Sequence, residues 1–358
     1  MDTDLFDYEL PQAQIAQTPA ARRDASRLLV VDRATQTITH HRFTDLHKIL
    51  PSGSRLFRNV AAVRKARVQA KLPTGGQVEC LLLHPATLKD EWWCLLKPGR
   101  KLKPGRMFGV EGWFSAEVLE KNEDGQSKVR FLCENGHSME AVCEELGQLP
   151  LPPYIGRKDA DVPDLDEERY QTVYADHLCK VAAAAPTAGL HFTKKLIDDM
   201  QARGFAFHDL LLRVGLGTFK PIQVKTLEEH PMHSELYKIS WKTFLEIQNK
   251  EAGPRVAVGT TSVRTMEDAL RKQAEGSLFS DGAFSSEANL FLYPPETFLG
   301  VDILLTNFHL PRSTLLCLVS AFLSPGGTDG IEWLKKIYAE AIREGYRFYS
   351  YGDAMVIL

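Results

Sequence analysis

The stretch from Val301 to Leu323 constrains the fold most, because it predicts a buried strand, a polar turn and a helix in direct succession. Val301 to Leu305 is a short apolar run of branched residues, typical of a strand buried on both faces. From Ser313 to Leu323, apolar residues recur at helical spacing. A strand with two buried faces needs helices on both sides of its sheet. The stretch therefore favours a layered α/β fold.

The turn inside this stretch, Thr306 to Thr314, predicts a binding site. Ligands of open α/β sheets bind outside the carboxyl ends of the strands, and a helix N-terminus attracts anions. A capped loop, with Ser313 as N-cap, would explain part of the turn. Capping does not explain why Asn307, His309 and Arg312 stand so close together.

The rest of the chain divides into two textures. After Tyr170, strands and helices alternate, including strands predicted at Leu290–Tyr293 and Ala354–Leu358, which favours an α-β-α layered domain. Residues 56–149 contain short β-like runs separated by Pro- and Gly-rich turns, which favours a small β-barrel. We therefore predict a discontinuous α/β catalytic domain over residues 1–55 and 150–358, with an inserted β-barrel domain over residues 56–149.

Positive charge is concentrated near the predicted barrel. From Arg55 to Arg106 there are twelve Lys and Arg against three acidic residues, in a chain whose net charge is −3. Such a local field is typical of a polyanion site, although a solvated basic surface would look the same. Interleaved aromatic residues favour nucleic acid. The candidate contacts are Arg64, Lys65, Arg67, Lys97, Arg100, Lys101 and Lys103.

Composition predicts a cytoplasmic protein. No apolar run reaches the roughly 18 residues of a membrane span, and the acidic N-terminus lacks a signal-peptide pattern. The six cysteines include no CxxC pair, which favours reduced thiols. Without a visible coiled coil, a monomer is expected.

Four other turns share the character of the first: Ala185–Thr193, Arg213–Phe219, Gly259–Thr265 and Tyr346–Asp353. Their glycines allow close approach to a ligand, and their hydroxyls and arginines can donate to a carboxylate or phosphate. None is a known phosphate loop. Each alone could be a structural turn, but five such turns together predict one pocket.

His230, His233 and Glu235 are close enough in sequence to be considered as metal ligands. Pro231 argues against a regular helix that would present the two histidines together, and no further ligand stands at a recognisable spacing. We expect no metal and favour hydrogen bonding or proton transfer by one imidazole.

Long motifs spread over nearly the whole chain resemble the queuosine-biosynthesis family of S-adenosylmethionine:tRNA ribosyltransferase-isomerases. They are FDYELPQAQIAQTPAARRDASRLLV, LPPYI, ERYQTVYA, APTAGLHFT, VGLGTFKPI, HPMHSE, VGTTSVRTME, TNFHLPRSTLL and YRFYSYGDAM. The resemblance implies an α/β domain with an inserted β-barrel. It also implies that S-adenosylmethionine serves as ribosyl donor, with no prosthetic group, and that the acceptor is 7-aminomethyl-7-deazaguanine at the tRNA wobble position. The implied products are epoxyqueuosine-tRNA, adenine and methionine.

Residue roles follow as hypotheses from the motifs. The sulfonium acidifies the ribose C5′ protons, so a base of near-neutral pKa is needed, and we expect His191, His233 or His309 to supply it. Asp353, Thr260 or Thr261 would assist departing adenine, and Arg264 and Arg312 would bind the methionine carboxylate. The remaining substrate-binding candidates are Arg27, Thr187, Gly189, Gly215, Gly217, Thr218, Ser262, Asn307, Ser313 and Tyr351.

Three positions depart from the family pattern. Arg213 stands where the family usually has His, Arg58 to Arg67 differs at the barrel entry, and Pro295 replaces a Gly. Because an Arg cannot act as a base at neutral pH, an alternative is a catalytically impaired member that acts as a tRNA-binding protein. A metal-dependent hydrolase is a third hypothesis.

Overall fold

The computed structural model describes residues 1–123, 125–157, 163–215, 221–276 and 282–358. In chain order its strands and helices are β1 (Arg27–Asp32), β2 (Thr37–Arg42), α1 (Leu46–Ile49), β3 (Arg55–Asn59), β4 (Ala61–Val63), β5 (Arg67–Lys71), β6 (Gln77–Pro85), β7 (Glu91–Lys97), β8 (Met107–Val110), β9 (Phe114–Lys121), β10 (Ser127–Cys133), α2 (Met139–Leu146), β11 (Gly147–Gln148), α3 (Pro163–Arg169), β12 (Asp176–Ala182), α4 (Lys194–Gln201), β13 (Ala206–Leu212), β14 (Glu235–Ser240), α5 (Trp241–Gln248), β15 (Arg255–Val258), α6 (Thr260–Ala274), β16 (Ala283–Ala288), β17 (Ile303–Asn307), α7 (Thr314–Leu323), α8 (Gly330–Arg343) and β18 (Ala354–Ile357). None of the described helices is both long and apolar enough to cross a membrane.

The described residues form two units. The first contains residues 1–62 and 152–157 and the described part of 168–358; the second contains the described part of 63–151 and residues 163–167. The division differs from the sequence-based boundary at residue 56, because β3 pairs with β13 and β15 in the middle of the large sheet. Residues 56–62 therefore belong to the first unit.

The first unit is built on a nine-stranded mixed sheet in the order β16-β14-β13-β3-β15-β17-β18-β1-β2. Successive residues of a strand point to opposite faces, and here they enter two cores. Leu304 packs in a core with residues of α5, α6, α7 and α8. Its neighbour Leu305 packs in a second core with residues of α1 and α4. The predicted α-β-α layering is confirmed.

Strand directions bring several loops to one edge of this sheet. β13, β3, β15 and β17 are parallel. β18 is antiparallel to β17 and parallel to β1. The carboxyl ends of β13, β15 and β17 therefore lie along the same edge as the amino ends of β1 and β18.

The second unit is a closed barrel. Its sheet runs β11-β5-β6-β7-β10-β9-β8, and β8 pairs back to β5, so six strands close the ring and β11 lengthens one side. The barrel predicted from the sequence is confirmed. The sequence pattern missed β8, because Met107–Val110 is short and lacks an alternating pattern.

One predicted strand is wrong. Leu290–Tyr293 is irregular, and the strand of this region is β16, seven residues earlier. Leu292 is buried among residues of the first core, so its apolar character reflects packing and not strand pairing.

Close approach of α7 and α8 makes a glycine necessary at Gly330. A Cβ at Gly330 would lie 2.1 Å from the Ser320 carbonyl oxygen, whereas a Cβ at Gly156 would meet nothing closer than 3.8 Å. We expect Gly330→Ala to lower the free energy of unfolding by about 1–3 kcal/mol, because the helices must move apart. Urea unfolding measures this, with Gly156→Ala as the nearly neutral control. Equal stabilities of the two variants would contradict the packing argument.

Candidate active site

Five loops line one pocket at the sheet edge defined above. Its empty volume, counted together with the open solvent at its mouth, is about 640 Å³. Each of the five predicted turns contributes to the lining, together with Tyr154. The lining residues are Tyr154, Ala185, Pro186, Thr187, Ala188, Val214, Gly259, Thr260, Thr261, Thr306, Asn307, Phe308, His309, Leu310, Ser313, Leu315, Tyr349 and Ser350.

Two helix N-termini reach this pocket. Gly259 has a φ of 87°, a conformation that favours glycine, and α6 begins at the next residue. At α7, the Ser313 hydroxyl accepts from Leu316 N–H at 3.2 Å and donates to the Leu310 carbonyl at 2.7 Å. Ser313 is therefore an N-cap, as the capped-loop reading expected. The first N–H groups of a helix have no acceptor within it, so both ends can receive an anion.

The pocket wall is uncharged over the described residues. No Asp, Glu, Lys or Arg among them lines it. Its polar groups are hydroxyls, one amide and one imidazole, and its aromatic groups include Tyr154 and Tyr349, whose ring centroids are 4.6 Å apart. Tyr349 has a φ of 71°, and such strain is typical of functional sites.

Of the three predicted histidines, only His309 lines the pocket. Its Nε2 is 2.9 Å from Thr306 Oγ1, and among the described residues the structure gives its Nδ1 no hydrogen-bond partner. Burial lowers the pKa of His309 to about 3, so the ring is neutral at pH 7. A neutral imidazole facing a pocket can accept a proton or a hydrogen bond.

His191 lies behind the pocket wall. Its Nδ1 is 2.9 Å from Ser26 Oγ, and its Nε2 is 3.1 Å from Asn307 Nδ2. Burial lowers its pKa to about 4, against the opposing charge of Asp353. With both ring nitrogens engaged, His191 does not contact a ligand in the pocket. His233 is exposed and also lies outside the lining.

Several predicted binding residues instead hold the loops in place. The carboxylate of Asp353 accepts from the backbone N–H groups of Arg27 and Arg347 at 3.0 and 2.9 Å. Arg264 pairs with Glu235 and donates to the Ala288 carbonyl at 3.0 Å. These buried groups have spent their hydrogen bonds inside the protein, so they are not available to adenine or to a carboxylate.

Other predicted residues also lie outside the lining. Arg312 pairs with Asp4 at the surface, and the Arg27 guanidinium stacks on the ring of Tyr346 at 3.8 Å. Ser262 Oγ donates to the Val258 carbonyl at 2.8 Å, and Tyr351 packs edge-on against Tyr170. Each has a structural partner that explains its position.

Of the remaining predicted binding residues, the glycines that the structure describes lie outside the lining and several polar residues lie within it. A Cβ at Gly189 would lie 1.9 Å from the Tyr174 hydroxyl oxygen, so Gly189 serves packing. Gly215 N–H donates to Glu235 Oε1 at 2.9 Å, outside the lining. Gly217 and Thr218 lie outside the described residues. Thr187, Thr260, Thr261, Asn307 and Ser313 do line the pocket.

Sequence reasoning missed the aromatic side of the pocket. Tyr154 follows two prolines and is absent from the predicted site residues, yet its hydroxyl is 2.6 Å from Ser350 Oγ. The available signal was the LPPYI motif itself. Arg213, the departure from the family pattern, is exposed and outside the lining.

The structure gives no support to the metal hypothesis. Among the described residues, no group of three or more His, Cys, Asp or Glu could hold a metal ion. Glu235, one of the three ligands considered, is paired with Arg264.

The fold and the site define an α/β protein that carries a second, β-barrel unit and has a pocket at the strand ends of its large sheet. The chain belongs to the queuosine biosynthesis protein family, whose family model matches residues 3–357.

Full-length relatives carry one name. The S-adenosylmethionine:tRNA ribosyltransferase-isomerase of Heliobacterium modesticaldum is 45% identical, with 100% of both chains covered. The enzyme of that name from Thermotoga maritima is 43% identical over 99% of this chain and 98% of its own. A crystal structure of the S-adenosylmethionine tRNA ribosyltransferase from Thermotoga maritima matches with a TM-score of 0.54 and 34% identity, covering 99% of this chain and 100% of that one.

The two buried histidines predict a loss of stability in acid. Unfolded histidine titrates near 6.5, whereas the folded-state pKa values are about 4 for His191 and about 3 for His309. Between pH 6.5 and 4 these two histidines are protonated in the unfolded state but remain neutral in the folded state. Each imidazole therefore lowers the free energy of unfolding by up to about 1.4 kcal/mol for each unit by which the pH falls in this range.

Urea unfolding at pH 7, 6 and 5 measures this slope. We expect the slope to be shallower in His309→Gln than in the unsubstituted protein. An unchanged slope would contradict a neutral, buried His309.

Proposed function

We propose that this chain transfers and isomerises the ribosyl moiety of S-adenosylmethionine onto 7-aminomethyl-7-deazaguanine at the tRNA wobble position. The products are epoxyqueuosine-tRNA, adenine and methionine. The observation that carries the proposal is the match, over the whole chain, to relatives that bear the name of this enzyme. The six cysteines, all unpaired thiols, support action in the reducing cytoplasm.

The pocket suits a sulfonium nucleoside. The N-termini of α6 and α7 would receive the methionine carboxylate, in place of the arginines expected from the sequence. The aromatic faces of Tyr154 and Tyr349 offer a cation–π contact to the sulfonium. An uncharged wall leaves that cation unpaired, which keeps the adjacent C5′ protons acidic.

His309 takes the role of general base in this proposal. It is the predicted histidine that lines the pocket, and its lowered pKa keeps the ring unprotonated at neutral pH. Thr306 Oγ1, at 2.9 Å from Nε2, holds the ring so that Nδ1 is the nitrogen left for substrate. A pKa of about 3 is below the near-neutral value that suits a general base best, so the ring is unprotonated at neutral pH but is a weak base.

The barrel supplies a surface for tRNA. Four of the seven predicted cations have partners within the unit: Lys65 pairs with Glu167, Lys97 pairs with Glu79, Arg64 lies over Trp92, and Arg67 donates to the Leu151 carbonyl. Arg100, Lys101 and Lys103 are exposed on the loop from residue 98 to 106, called the basic loop below. Among the described residues these three have no acidic partner, so they are the ones we propose to contact phosphates.

Release of free adenine tests the function directly. The purified chain, mixed with S-adenosylmethionine and tRNA carrying the deazaguanine precursor, is expected to release adenine and modify the tRNA in equal amounts. His309→Gln replaces the imidazole with a polar amide that cannot serve as the base, so the variant should bind S-adenosylmethionine and release little adenine. Tight tRNA binding without adenine release by the unsubstituted protein would favour the impaired tRNA-binding alternative.

The basic loop generates a separate prediction. Replacing Arg100, Lys101 and Lys103 together by Ala should raise the KM for tRNA at least tenfold at 0.1 M salt and flatten its salt dependence, since phosphate contacts release counterions. The KM for S-adenosylmethionine should stay constant. Lys194→Ala with Lys195→Ala, two exposed cations on α4, is the charge control. An equal effect of both variants on tRNA would refute a specific role for the loop.

A further inference from the structure

Asn307 carries a buried oxygen that the fold leaves without a partner. The residue is 2% exposed and lines the pocket. Its Oδ1 is buried and has no hydrogen-bond partner among the described residues. An unsatisfied buried acceptor costs about 1–3 kcal/mol, so a native protein that keeps one at a pocket wall points to a donor on the ligand.

The orientation of this amide is fixed by its neighbours. Asn307 Nδ2 lies 3.3 Å from the Tyr349 carbonyl oxygen and 3.5 Å from the Asp353 carbonyl oxygen. Carbonyl oxygens only accept, so the side that faces them must be the NH₂ group. The amide cannot turn over without placing oxygen against oxygen, and Oδ1 is held on the opposite side.

His191 adds to this constraint. Its Nε2, 3.1 Å from Asn307 Nδ2, accepts from the same NH₂ group. The ring proton then sits on Nδ1 and is donated to Ser26 Oγ at 2.9 Å, while that hydroxyl donates to the Arg23 carbonyl at 3.1 Å. The chain from Arg23 to Asn307 thus has one consistent direction. His191 acts here as a positioning residue.

Two aromatic rings, tilted by 52° to each other, line the same pocket as this acceptor. Tyr349, whose carbonyl binds Asn307, lines the pocket with Tyr154, at a centroid separation of 4.6 Å. Aromatic side chains stack on nucleobases, whose edges are then read by hydrogen bonds. The Asn307 NH₂ group is already occupied, so only Oδ1 is left to read an edge.

We propose that Asn307 Oδ1 accepts a hydrogen bond from the exocyclic amine of the adenine base, and that this contact selects a 6-amino over a 6-oxo purine. The proposal rests on the proposed function for the identity of the nucleoside. A 6-oxo purine presents a carbonyl oxygen at the same point, which would meet Oδ1 without a proton between them. Sites built to pair a substrate N–H reject analogues that lack it.

Binding measurements test the selection without turnover. By calorimetry, S-adenosylhomocysteine should bind the unsubstituted protein at least tenfold more tightly than S-inosylhomocysteine, which carries an oxygen in place of the amine and a proton on N1. Asn307→Ala should bring the ratio of the two dissociation constants close to one, mainly by weakening the adenosyl ligand. His191→Phe keeps an aromatic ring at this position but removes the acceptor nitrogen, and should reduce the ratio several-fold.

Ser262→Ala is the matched control. Ser262 is buried and directly follows Thr261, which lines the pocket, but Ser262 itself lies outside the lining and loses one hydrogen bond in the variant. The ratio of Ser262→Ala should equal that of the unsubstituted protein. A ratio near one in the unsubstituted protein overturns the proposal even if the variants do not fold. If the unsubstituted protein releases adenine but its ratio is near one, only the proposed role of Asn307 is refuted. If its ratio is high but no adenine is released, the proposed activity is refuted and the selection of a 6-amino purine by Asn307 is retained.

Discussion

The direction of one strand pair determines where this protein can bind a ligand. β17 leaves the sheet and β18 enters it at the same edge, because the two strands are antiparallel. That reversal sets the loop before β18 beside the loops that follow β15 and β17. Asn307 ends β17 and bonds the Tyr349 carbonyl across this junction at 3.3 Å. The pocket depends on this arrangement, because the loop before β18 supplies Tyr349 and Ser350 to its wall.

Burial then gives the pocket its chemistry. Two predicted charged residues bind other parts of the protein instead of lining the pocket. The Asp353 carboxylate accepts hydrogen bonds from backbone N–H groups, and Arg264 forms an ion pair with Glu235. The lining is left with dipoles, aromatic rings and neutral imidazole. Preorganised dipoles in a site shielded from water act strongly on developing charge. Such a wall suits a substrate that brings its own charges.

The layered domain and the barrel could be predicted because both depend on local patterns. Branched apolar runs mark the central strands, and Pro–Gly turns divide the barrel segments. Ser313 was recognisable as a cap, and its hydroxyl accepts from the N–H of Leu316. β8 was missed because four residues carry too little periodicity. The strand at Leu290–Tyr293 was wrong because tertiary packing buries apolar residues in irregular segments as well.

The site was predicted as a set of loops more successfully than as a set of residues. Three of the five turns directly follow β13, β15 and β17, and a fourth precedes β18, so the strand directions bring these turns together. Which side chain faces the cavity depends on partners far away in sequence, such as Glu235 for Arg264 or Ser26 for His191. No spacing rule contains that information. Tyr154 shows the reverse case, since the LPPYI motif marks its position in the sequence but no pattern there indicates that the residue lines a pocket.

The most direct measurement is a crystal structure of the protein with S-adenosylhomocysteine, the unreactive analogue of the proposed donor. The account predicts the ligand in the pocket of the five loops, with its carboxylate at the N-termini of α6 and α7 and its base beside Asn307. A ligand bound elsewhere, with this pocket empty, would contradict it.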